Sequence, residues 1–429
     1  MHSLQRILII GYVWPEPRSS AAGSRMFELI ELFRAQDWQV TFASAAALSS
    51  HRADLQAFGV TERSIALNCD SFDRFIAELQ PDMVLFDRFF TEEQFAWRVE
   101  KACPDALRVL DTVDLHCLRE TRERLCKAAQ LAAPEQPPAL TLRTGGQALY
   151  AAMADSDLAQ REIAALYRCD LSLLISDVEL AFLQQQFDVP AALMLYCPLM
   201  GIQPMADMPG YAQREHFISI GNFRHAPNWD AVLFLKQHLW PAIRQRLPQA
   251  QLHVYGSYPP PKATALHNPK QGFLVLGWAE DAHRVMANAR VCLAPLRFGA
   301  GIKGKLADAM ACGTPSVTTR VGSEGMCGEL AWGGAVVQDA AAFVEAAVKL
   351  YQDPHLWRHA QLDGTQILAC RFARGEQQQA LLVRLHEAYT HRQANRQRNF
   401  VGSMLRHHLH KSSQYLSQWI AAKNQTQVH

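Results

Sequence analysis

The sequence lacks any apolar run as long as the roughly 18 to 20 residues that a membrane-spanning helix needs. Its ten cysteines never lie within four residues of one another, which excludes CxxC redox motifs and zinc ribbons and is typical of reduced thiols. The segment from Met1 to Gly11 is too short and too weakly basic for a signal peptide. We therefore expect a cytoplasmic protein, and its net charge of +1 gives it no overall attraction to nucleic acid.

Two common nucleotide-binding motifs are also missing. The first apolar run, at 7–11, is not followed by GxGxxG, and GxxxxGK(S/T) is not completed anywhere in the chain. The first absence argues against a dinucleotide-binding dehydrogenase, and the second argues against a P-loop kinase. A glycine loop elsewhere in the chain therefore needs another interpretation.

The length of the chain and its alternating pattern predict two domains. At 429 residues the chain exceeds a comfortable single core, and short apolar runs alternate with amphipathic runs along both halves. The predicted fold class is α/β, with two Rossmann-like domains that face each other across a cleft and a helical C-terminal extension. The predicted parts are a first domain at 1–196 with a helical excursion at 119–161, a linker at 197–215, a second domain at 216–372, and C-terminal helices with a basic tail at 373–429.

The apolar runs predict the strands and the amphipathic runs predict the helices. Predicted strands are 7–11, 40–43, 65–67, 83–86, 107–110, 171–175, 193–195, 217–221, 252–256, 273–277, 291–294, 316–319 and 335–337. Predicted helices are 24–36, 72–79, 92–102, 178–187, 230–247, 281–289, 305–312 and 340–351.

The most informative segment is RFGAGIKGKLADAMACGTP at 297–315. A strand-like run precedes its glycines and a helical pattern follows them, so they lie at a turn that points free N–H groups and a positive helix end at an anion. We call residues 299–305 the Gly-Lys loop and predict that it binds a diphosphate, since Lys303 and Lys305 add positive charge. Asp308, one turn later, suits a ribose diol; the alternative is an ion pair with Lys305.

Longer stretches of the chain resemble a known family, the retaining glycosyltransferases of the two-Rossmann-domain (GT-B) architecture, family 4 or group 1. Besides the Gly-Lys loop, the residues that carry the resemblance are FISIGNF at 217–223, PNWDA at 227–231, VYG at 254–256, LGW at 276–278, VGSEGM at 321–326, DTVDLH at 111–116, RE at 161–162 and YRCDL at 167–171. The resemblance implies transfer of a sugar from a UDP- or GDP-sugar to an acceptor hydroxyl, with retention at the anomeric carbon, no obligatory protein nucleophile, no cofactor and no metal.

The resemblance also implies roles for individual residues. The expected catalytic residues are His116, across the cleft near the transferred sugar, and Lys305 and Arg297, on the diphosphate. The residues expected to bind the donor are Gly23, Arg25, Gly221, Asn222, Gly299, Gly301, Ile302, Lys303, Asp308 and Glu324. For three of them a plainer interpretation stays open: His116 as a packed or capping residue, Glu324 as a turn acid, and Arg25 as a solvated helix residue.

Two departures from the family pattern bear on activity. The family commonly has two glutamates separated by seven residues in the Gly-Lys segment, whereas this chain has Ala300 at the first position and the shorter Asp308 at the second. Asn222 and Pro227 occupy the offsets where arginine and lysine are common. The alternatives to a transferase are therefore a non-catalytic nucleotide-sugar binding subunit and a sugar-nucleotide epimerase or hydrolase of the same fold.

The last part of the chain is basic and amphipathic. No acidic residue follows Glu387, while six arginines and lysines and several aromatic and aliphatic residues do. This pattern is typical of a helix that lies on anionic lipid or contacts another polyanion, so we expect such a contact through 388–429. The alternative is a terminal helix that packs against the first domain, with its cations in solvent.

Overall fold

The computed structural model describes residues 4–142 and 144–426 and contains two parallel β-sheets. The strands of the first sheet are β1 Arg6–Gly11, β2 Gln39–Ser44, β3 Thr61–Ser64, β4 Met83–Asp87, β5 Leu107–Asp111, β6 Leu171–Leu174 and β7 Met194–Tyr196. Those of the second sheet are β8 Glu215–Ile220, β9 Leu252–Tyr255, β10 Phe273–Gly277, β11 Ala289–Ala294, β12 Ser316–Thr319 and β13 Gly334–Val337. We call the units built on these sheets the first and second domains.

Helices follow most strands, as a parallel sheet requires. In the first domain they are α1 Ala21–Arg34, α2 Ser71–Leu79, α3 Phe89–Ala102, α4 His116–Ala132, α5 Gly146–Met153, α6 Asp157–Arg168 and α7 Asp177–Gln186. The remaining helices are α8 Ala226–Phe234, α9 Trp240–Arg246, α10 Pro261–Thr264, α11 Ala282–Asn288, α12 Gly304–Ala311, α13 Arg320–Ser323, α14 Ala340–Gln352, α15 Pro354–Arg371, α16 Arg374–Thr390, α17 Arg392–Arg398 and α18 Phe400–Thr426. A π-helical turn at Leu235–Leu239 joins α8 to α9.

The order of the strands brings the functional loops together. The first sheet runs β3-β2-β1-β4-β5-β6-β7 and the second runs β10-β9-β8-β11-β12-β13, so the strand order reverses at β1 and at β8. Ligands of open parallel sheets bind at the carboxyl ends of the strands, beside such a reversal. A site is therefore expected in the loops that follow β1, β5, β8 and β11. The two parallel sheets with their helices confirm the predicted α/β fold class.

Each domain has its own core, and several side chains cross between the domains, among them Ile175, which packs into the core of the second domain. Strands β4 and β5 are buried along their whole length, because apolar clusters cover both faces of the first sheet. Leu140, from the excursion of the first domain, packs into the core of the second domain beside Phe217. Ala300 of the Gly-Lys loop packs into the core of the first domain. The domains therefore interlock on both sides of the loop.

One predicted strand is wrong and one predicted helix is interrupted. The structure places β3 at Thr61–Ser64 and not at the apolar run 65–67. This strand lies at the edge of the sheet, where polar residues are favoured because one side stays open to water. The helix predicted at 230–247 begins earlier, at Ala226, and passes through the π-helical turn. The other predicted strands and helices are confirmed to within a few residues, while the predicted domain boundaries stay predictions.

The C-terminal helices return to the first domain. Leu381 and Leu385 of α16 belong to its core, and α18 packs on α3 and α6. Arg396 of α17 donates to both carboxylate oxygens of the buried Asp170, each at 2.7 Å. The basic tail is therefore partly used for internal packing. Among the residues that the structure describes, no helix is both long and apolar enough to span a membrane.

Replacing Arg396 by alanine should destabilise the protein. Asp170 would keep its bond from the Arg108 backbone N–H but would lose both charge-assisted bonds from Arg396. We expect a loss of about 2 kcal/mol or more in the free energy of unfolding, measured by urea denaturation. Arg398→Ala removes the same charge from an exposed position on α17 and is the matched control. Equal stability of the two variants would contradict the role assigned to Arg396.

Candidate functional site

Two helices, one from each domain, begin at the same place. A Cβ atom at residue 304, where α12 begins, would lie 2.5 Å from Cβ of Ala21, where α1 begins. Only glycine permits this approach, because a Cβ at that distance is a clash. The first N–H groups of both helices have no partners within their helices, and both positive helix ends point to this region. The sequence thus builds an anion-attracting point between the domains.

The two lysines of the Gly-Lys loop lie at this point, where Lys303 is buried and Lys305 is partly buried. Lys305 Nζ donates to Asn228 Oδ1 at 2.6 Å, and Lys303 Nζ donates to the Gly301 carbonyl at 2.5 Å. Burial lowers the pKa of Lys305 to about 8. Burial also lowers the pKa of Lys303, although the nearby Glu324 partly opposes this effect. Two partly desolvated ammonium groups gain strongly from a negative ligand, since each has few anionic partners within the protein.

The strand end before α8 supports Lys305. A Cβ atom at Gly221 would lie 2.7 Å from Lys305 Nζ, so glycine makes the space that the lysine occupies. The Asn222 carbonyl accepts from Asn228 Nδ2 at 2.9 Å, and Asn228 in turn accepts from Lys305. Gly221 therefore leaves space for Lys305, and Asn222 holds Asn228, the residue that accepts from Lys305.

The Gly-Lys loop touches the first domain at Gly301. This residue has φ of +63°, and a Cβ atom on it would lie 2.8 Å from Asp114 Cβ. Val113, next to Asp114, also has a positive φ of 64°, which is rare and costly for a β-branched residue. The neighbouring Ile302 is buried in the second domain. The contact at Gly301 thus holds strained backbone in place at the cleft.

His116 is the first residue of α4 and faces the same region. Its backbone N–H donates to Glu162 Oε1 at 3.0 Å, so Glu162 satisfies the start of the helix. The ring makes edge contacts with Phe89 and Phe90, and Nε2 is 3.4 Å from Asp114 Oδ1, outside hydrogen-bond geometry. Burial lowers the pKa of His116 to about 3, so the imidazole is neutral at neutral pH.

Glu324 forms an ion pair across the cleft. Arg122 of α4 donates to both of its carboxylate oxygens at 2.9 Å and also donates to the Gly299 carbonyl at 2.8 Å. Burial alone would raise the pKa of Glu324, but Arg122 more than offsets this and lowers it. One arginine of the first domain therefore holds two of the predicted donor-binding residues.

A second set of contacts closes the opposite side of the cleft. Tyr258 Oη donates to Glu16 Oε1 at 2.9 Å, and the ring of His51 lies 4.8 Å from that of Trp278. A Cβ atom at Gly23 would lie 2.4 Å from the carbonyl oxygen of Glu16. Gly23 is thus needed to seat the loop before α1 against the helix.

Two predicted arginines have partners within the protein. Arg25 is fully buried: its Nε donates to Asp111 at 2.9 Å and its Nη1 donates to the Cys197 carbonyl at 2.6 Å. Arg297 donates through Nε to Asp230 at 2.8 Å and through Nη2 to the other oxygen of the same carboxylate. Arg25 therefore joins α1, β5 and the segment after β7, and its guanidinium is enclosed by protein groups. Arg297 is only partly buried, and its pairing with Asp230 leaves its predicted contact with the diphosphate a prediction.

Asp308 is half-exposed and does not pair with Lys305. Its Oδ1 lies 3.3 Å from His283 Nε2, and this contact raises the pKa of His283. The alternative of a helix-surface pair with Lys305 is wrong. Asp308 and His283 therefore form a polar, partly exposed pair about one helical turn from the lysines.

Several polar residues at this site were not predicted from the sequence. Burial would raise the pKa of Asp114, but Arg119 and the neighbouring histidines lower it. His225, before α8, is exposed to solvent at its surface, but partial desolvation of the ring, together with Arg119 and Lys305, lowers its pKa to about 4. Glu179 Oε1 accepts from the Gly301 N–H at 2.6 Å. Asp114 lies inside the DTVDLH segment, which was a usable signal, whereas His225 and Glu179 had none of their own.

Comparison with known proteins agrees with this geometry. Residues 214–353 match the profile of the family described as Glycosyl transferases group 1. No curated protein sequence matches the chain significantly. The fold resembles sucrose-phosphate synthase from Thermosynechococcus elongatus, with 16% identity, coverage of 90% of this chain and 99% of that chain, and a TM-score of 0.64. It also resembles HepE from Anabaena in complex with UDP and glucose (13%, 88% and 98%, 0.60) and a glycosyltransferase from Rickettsia africae (9%, 90% and 99%, 0.61). The chain thus has the GT-B fold of two Rossmann-like domains.

Proposed function

We propose that this chain, whose second domain matches group 1 of the glycosyltransferases, transfers a sugar from a nucleotide diphosphate sugar to an acceptor hydroxyl. The observation that carries the proposal is the convergence of α1 and α12 beside the desolvated ammonium groups of Lys303 and Lys305. Negative charge develops on the diphosphate as the bond to the sugar breaks. Positive groups fixed at that point stabilise the transition state more than the ground state.

The proposal divides the work between the domains. Lys303, Lys305 and the N–H groups of the two helix ends hold the diphosphate, so these cations take the role that a metal would have elsewhere. Asp308 and His283 face the ribose at the mouth of the cleft. His116 is neutral, its Nε2 has no hydrogen bond to the described residues, and it contacts the sugar from the first domain. Retention of configuration is part of the proposal and is supported by the sequence resemblance.

We propose a UDP- or GDP-sugar as the donor. The HepE structure contains UDP and glucose, which makes uridine nucleotides the first ligands to test. The acceptor hydroxyl belongs to a molecule that the first domain binds, and we propose that the reaction takes place in the cytoplasm. Arg297, which pairs with Asp230, lies outside the diphosphate contacts of this proposal.

Product analysis separates this function from its two alternatives. The protein is incubated with UDP- and GDP-sugars, with and without candidate acceptor glycans and lipids. A transferase consumes the donor only when an acceptor is present, and the sugar appears on the acceptor. Consumption without any acceptor would instead identify an epimerase or hydrolase. Binding without consumption, under every acceptor, would identify the non-catalytic subunit that Ala300 suggests.

Contact with a membrane or another polyanion through 388–429 stays a prediction. Among the described residues of α18, six exposed apolar side chains form what we call the apolar stripe: Phe400, Val401, Met404, Tyr415, Leu416 and Trp419. Arg396 and Arg406 pair with acids of the first domain, so the stripe, not these cations, is available to a surface. The side chain of Lys411 and the last residues lie outside those that the structure describes.

The double variant Tyr415→Ser, Trp419→Ser should bind anionic vesicles about tenfold more weakly than the wild type, because two aromatic side chains no longer enter the interface. Co-sedimentation with phosphatidylglycerol vesicles measures the effect. Leu362→Ser changes an exposed leucine of α15 and is the control. Equal sedimentation of the wild type and the double variant would contradict lipid binding through the stripe.

A further inference from the structure

Glu179 is a buried carboxylate of α7 whose position in the cleft was not predicted from the sequence. It lies in the first turn of α7, three residues after Ser176, whose side chain accepts from the Glu179 N–H. This Ser-x-x-Glu spacing is the signature of a capping box, in which the glutamate side chain returns to the start of its own helix. Here Oε1 accepts instead from the N–H groups of Gly301, at 2.6 Å, and Leu115, at 3.3 Å.

The other oxygen of Glu179 is left without a partner. The residue is 0% exposed, and Oε2 has no hydrogen-bond partner among the residues that the structure describes. Buried carboxylate oxygens normally accept hydrogen bonds, because desolvating one without compensation is costly. Burial and the nearby Asp114 raise the pKa of Glu179 to about 8, against the opposing effects of the Gly301 bond and Lys303.

The groups around Glu179 indicate what kind of ligand group would satisfy Oε2. Glu179 is bonded to Gly301, the residue directly after Ala300, and it contacts the backbone one residue before His116. His116 Nε2 is also buried without a hydrogen-bond partner. An acceptor oxygen and an imidazole nitrogen, both unsatisfied, therefore border the Gly-Lys loop from the first domain. Neutral hydroxyl groups can satisfy both without adding charge next to Asp114.

We propose that Glu179 binds hydroxyl groups of the sugar of the donor, an inference that rests on the proposed function of the cleft. Its carboxylate comes from the first domain and lies against the loop at the position where Ala300 carries no acid. Oε1 stays on the Gly301 N–H and fixes the loop, while Oε2 of the ionised carboxylate accepts from a sugar hydroxyl. Because the pKa of Glu179 is raised to about 8, this contact forms fully only above that pH, and the titrations below are run there. The sugars that fit are those with a free hydroxyl at the contacted carbon, and deoxy sugars lose this bond.

The test compares sugar recognition with nucleotide recognition. Titration calorimetry gives the affinity of Glu179→Ala and Glu179→Gln for UDP and for UDP-glucose; if the wild type prefers guanine nucleotides, the GDP compounds are used. The glutamine keeps an oxygen for the Gly301 N–H but cannot accept through its amide nitrogen. We expect Glu179→Gln to bind the free nucleotide within about twofold of the wild type and to bind the nucleotide sugar about 10- to 100-fold more weakly. Glu179→Ala also loses the bond to the Gly301 N–H, so its affinity for the free nucleotide should fall as well. Glu28→Gln changes another glutamate of the first domain that accepts from backbone, at Met200, and is the control.

A second measurement starts from the wild type, so its first step does not depend on the folding of a variant. The wild type is titrated with deoxy analogues of the nucleotide sugar, and one deoxy position should weaken binding about tenfold or more. That penalty should disappear in Glu179→Gln. Equal losses for the free nucleotide and the nucleotide sugar would make Glu179 a loop-positioning residue and overturn the inference, as would a deoxy penalty that persists in the variant. Either outcome would leave the proposed function of the cleft unaffected. A wild type that binds no nucleotide sugar would contradict the proposed function and the inference about Glu179 together.

Discussion

Replacing Lys305 by alanine is expected to weaken binding of a nucleoside diphosphate by about 10- to 100-fold and to leave binding of the nucleoside nearly unchanged. The ammonium is desolvated beside the first turn of α12, and among the described residues its hydrogen-bond partner is the neutral amide of Asn228. A diphosphate at this point therefore gains a charge-assisted contact that the nucleoside cannot make. Calorimetry with UDP and uridine, or with GDP and guanosine, measures both affinities.

The control for this variant is Lys349→Ala, which removes a lysine from the exposed face of α14. An equal loss of affinity for nucleotide and nucleoside would place Lys305 near the base or ribose. The dependence on pH adds a second check, because burial lowers the pKa of Lys305 to about 8. Its charge is lost as the pH rises through that value, so affinity for a nucleotide sugar should fall there in the wild type. The fall should be smaller in the alanine variant.

Replacing His116 by alanine is expected to lower turnover by about 100-fold while nucleotide affinity stays within about twofold of the wild type. The imidazole borders the cleft from the first domain, across from the Gly-Lys loop, and its Nε2 has no hydrogen bond to the described residues. A group that contacts only the transferred sugar contributes to the reaction and not to the binding of the nucleotide. Initial rates at saturating donor, with calorimetry on UDP or GDP, separate the two effects.

The plainer role of His116 is packing against the edges of Phe89 and Phe90. Loss of stability accompanied by unchanged turnover would establish that role and remove His116 from the mechanism. His116→Asn keeps a polar side chain at the start of α4, and its thermal unfolding reports on folding apart from activity. A variant that unfolds at the wild-type temperature but turns over slowly supports contact with the sugar.

Much of the fold was predictable because it depends on local patterns. Alternating apolar and amphipathic runs identified most of the strands and helices of both sheets. The failure at β3 has a local cause, since an edge strand such as Thr61–Ser64 needs no apolar residues. The Gly-Lys loop was also predictable, because its glycines and lysines are adjacent in sequence.

The rest of the site was not predictable, because it forms only when distant segments meet. Arg25 is 86 residues from Asp111 and Arg297 is 67 residues from Asp230, and these ion pairs decide where both arginines point. Glu179 and Gly301 are 122 residues apart and belong to different domains. A single sequence shows that such residues are polar, but their partners follow from the packing of the two domains.

The most direct test of the account is a crystal structure of the protein with UDP or with GDP, whichever binds more tightly. The account predicts the diphosphate between the N-terminal ends of α1 and α12, with oxygens about 3 Å from Lys305 Nζ and from N–H groups of the first turn of α12. A diphosphate bound elsewhere, for example in the cavity of about 430 Å³ beside Arg297 and Asp230, would contradict it.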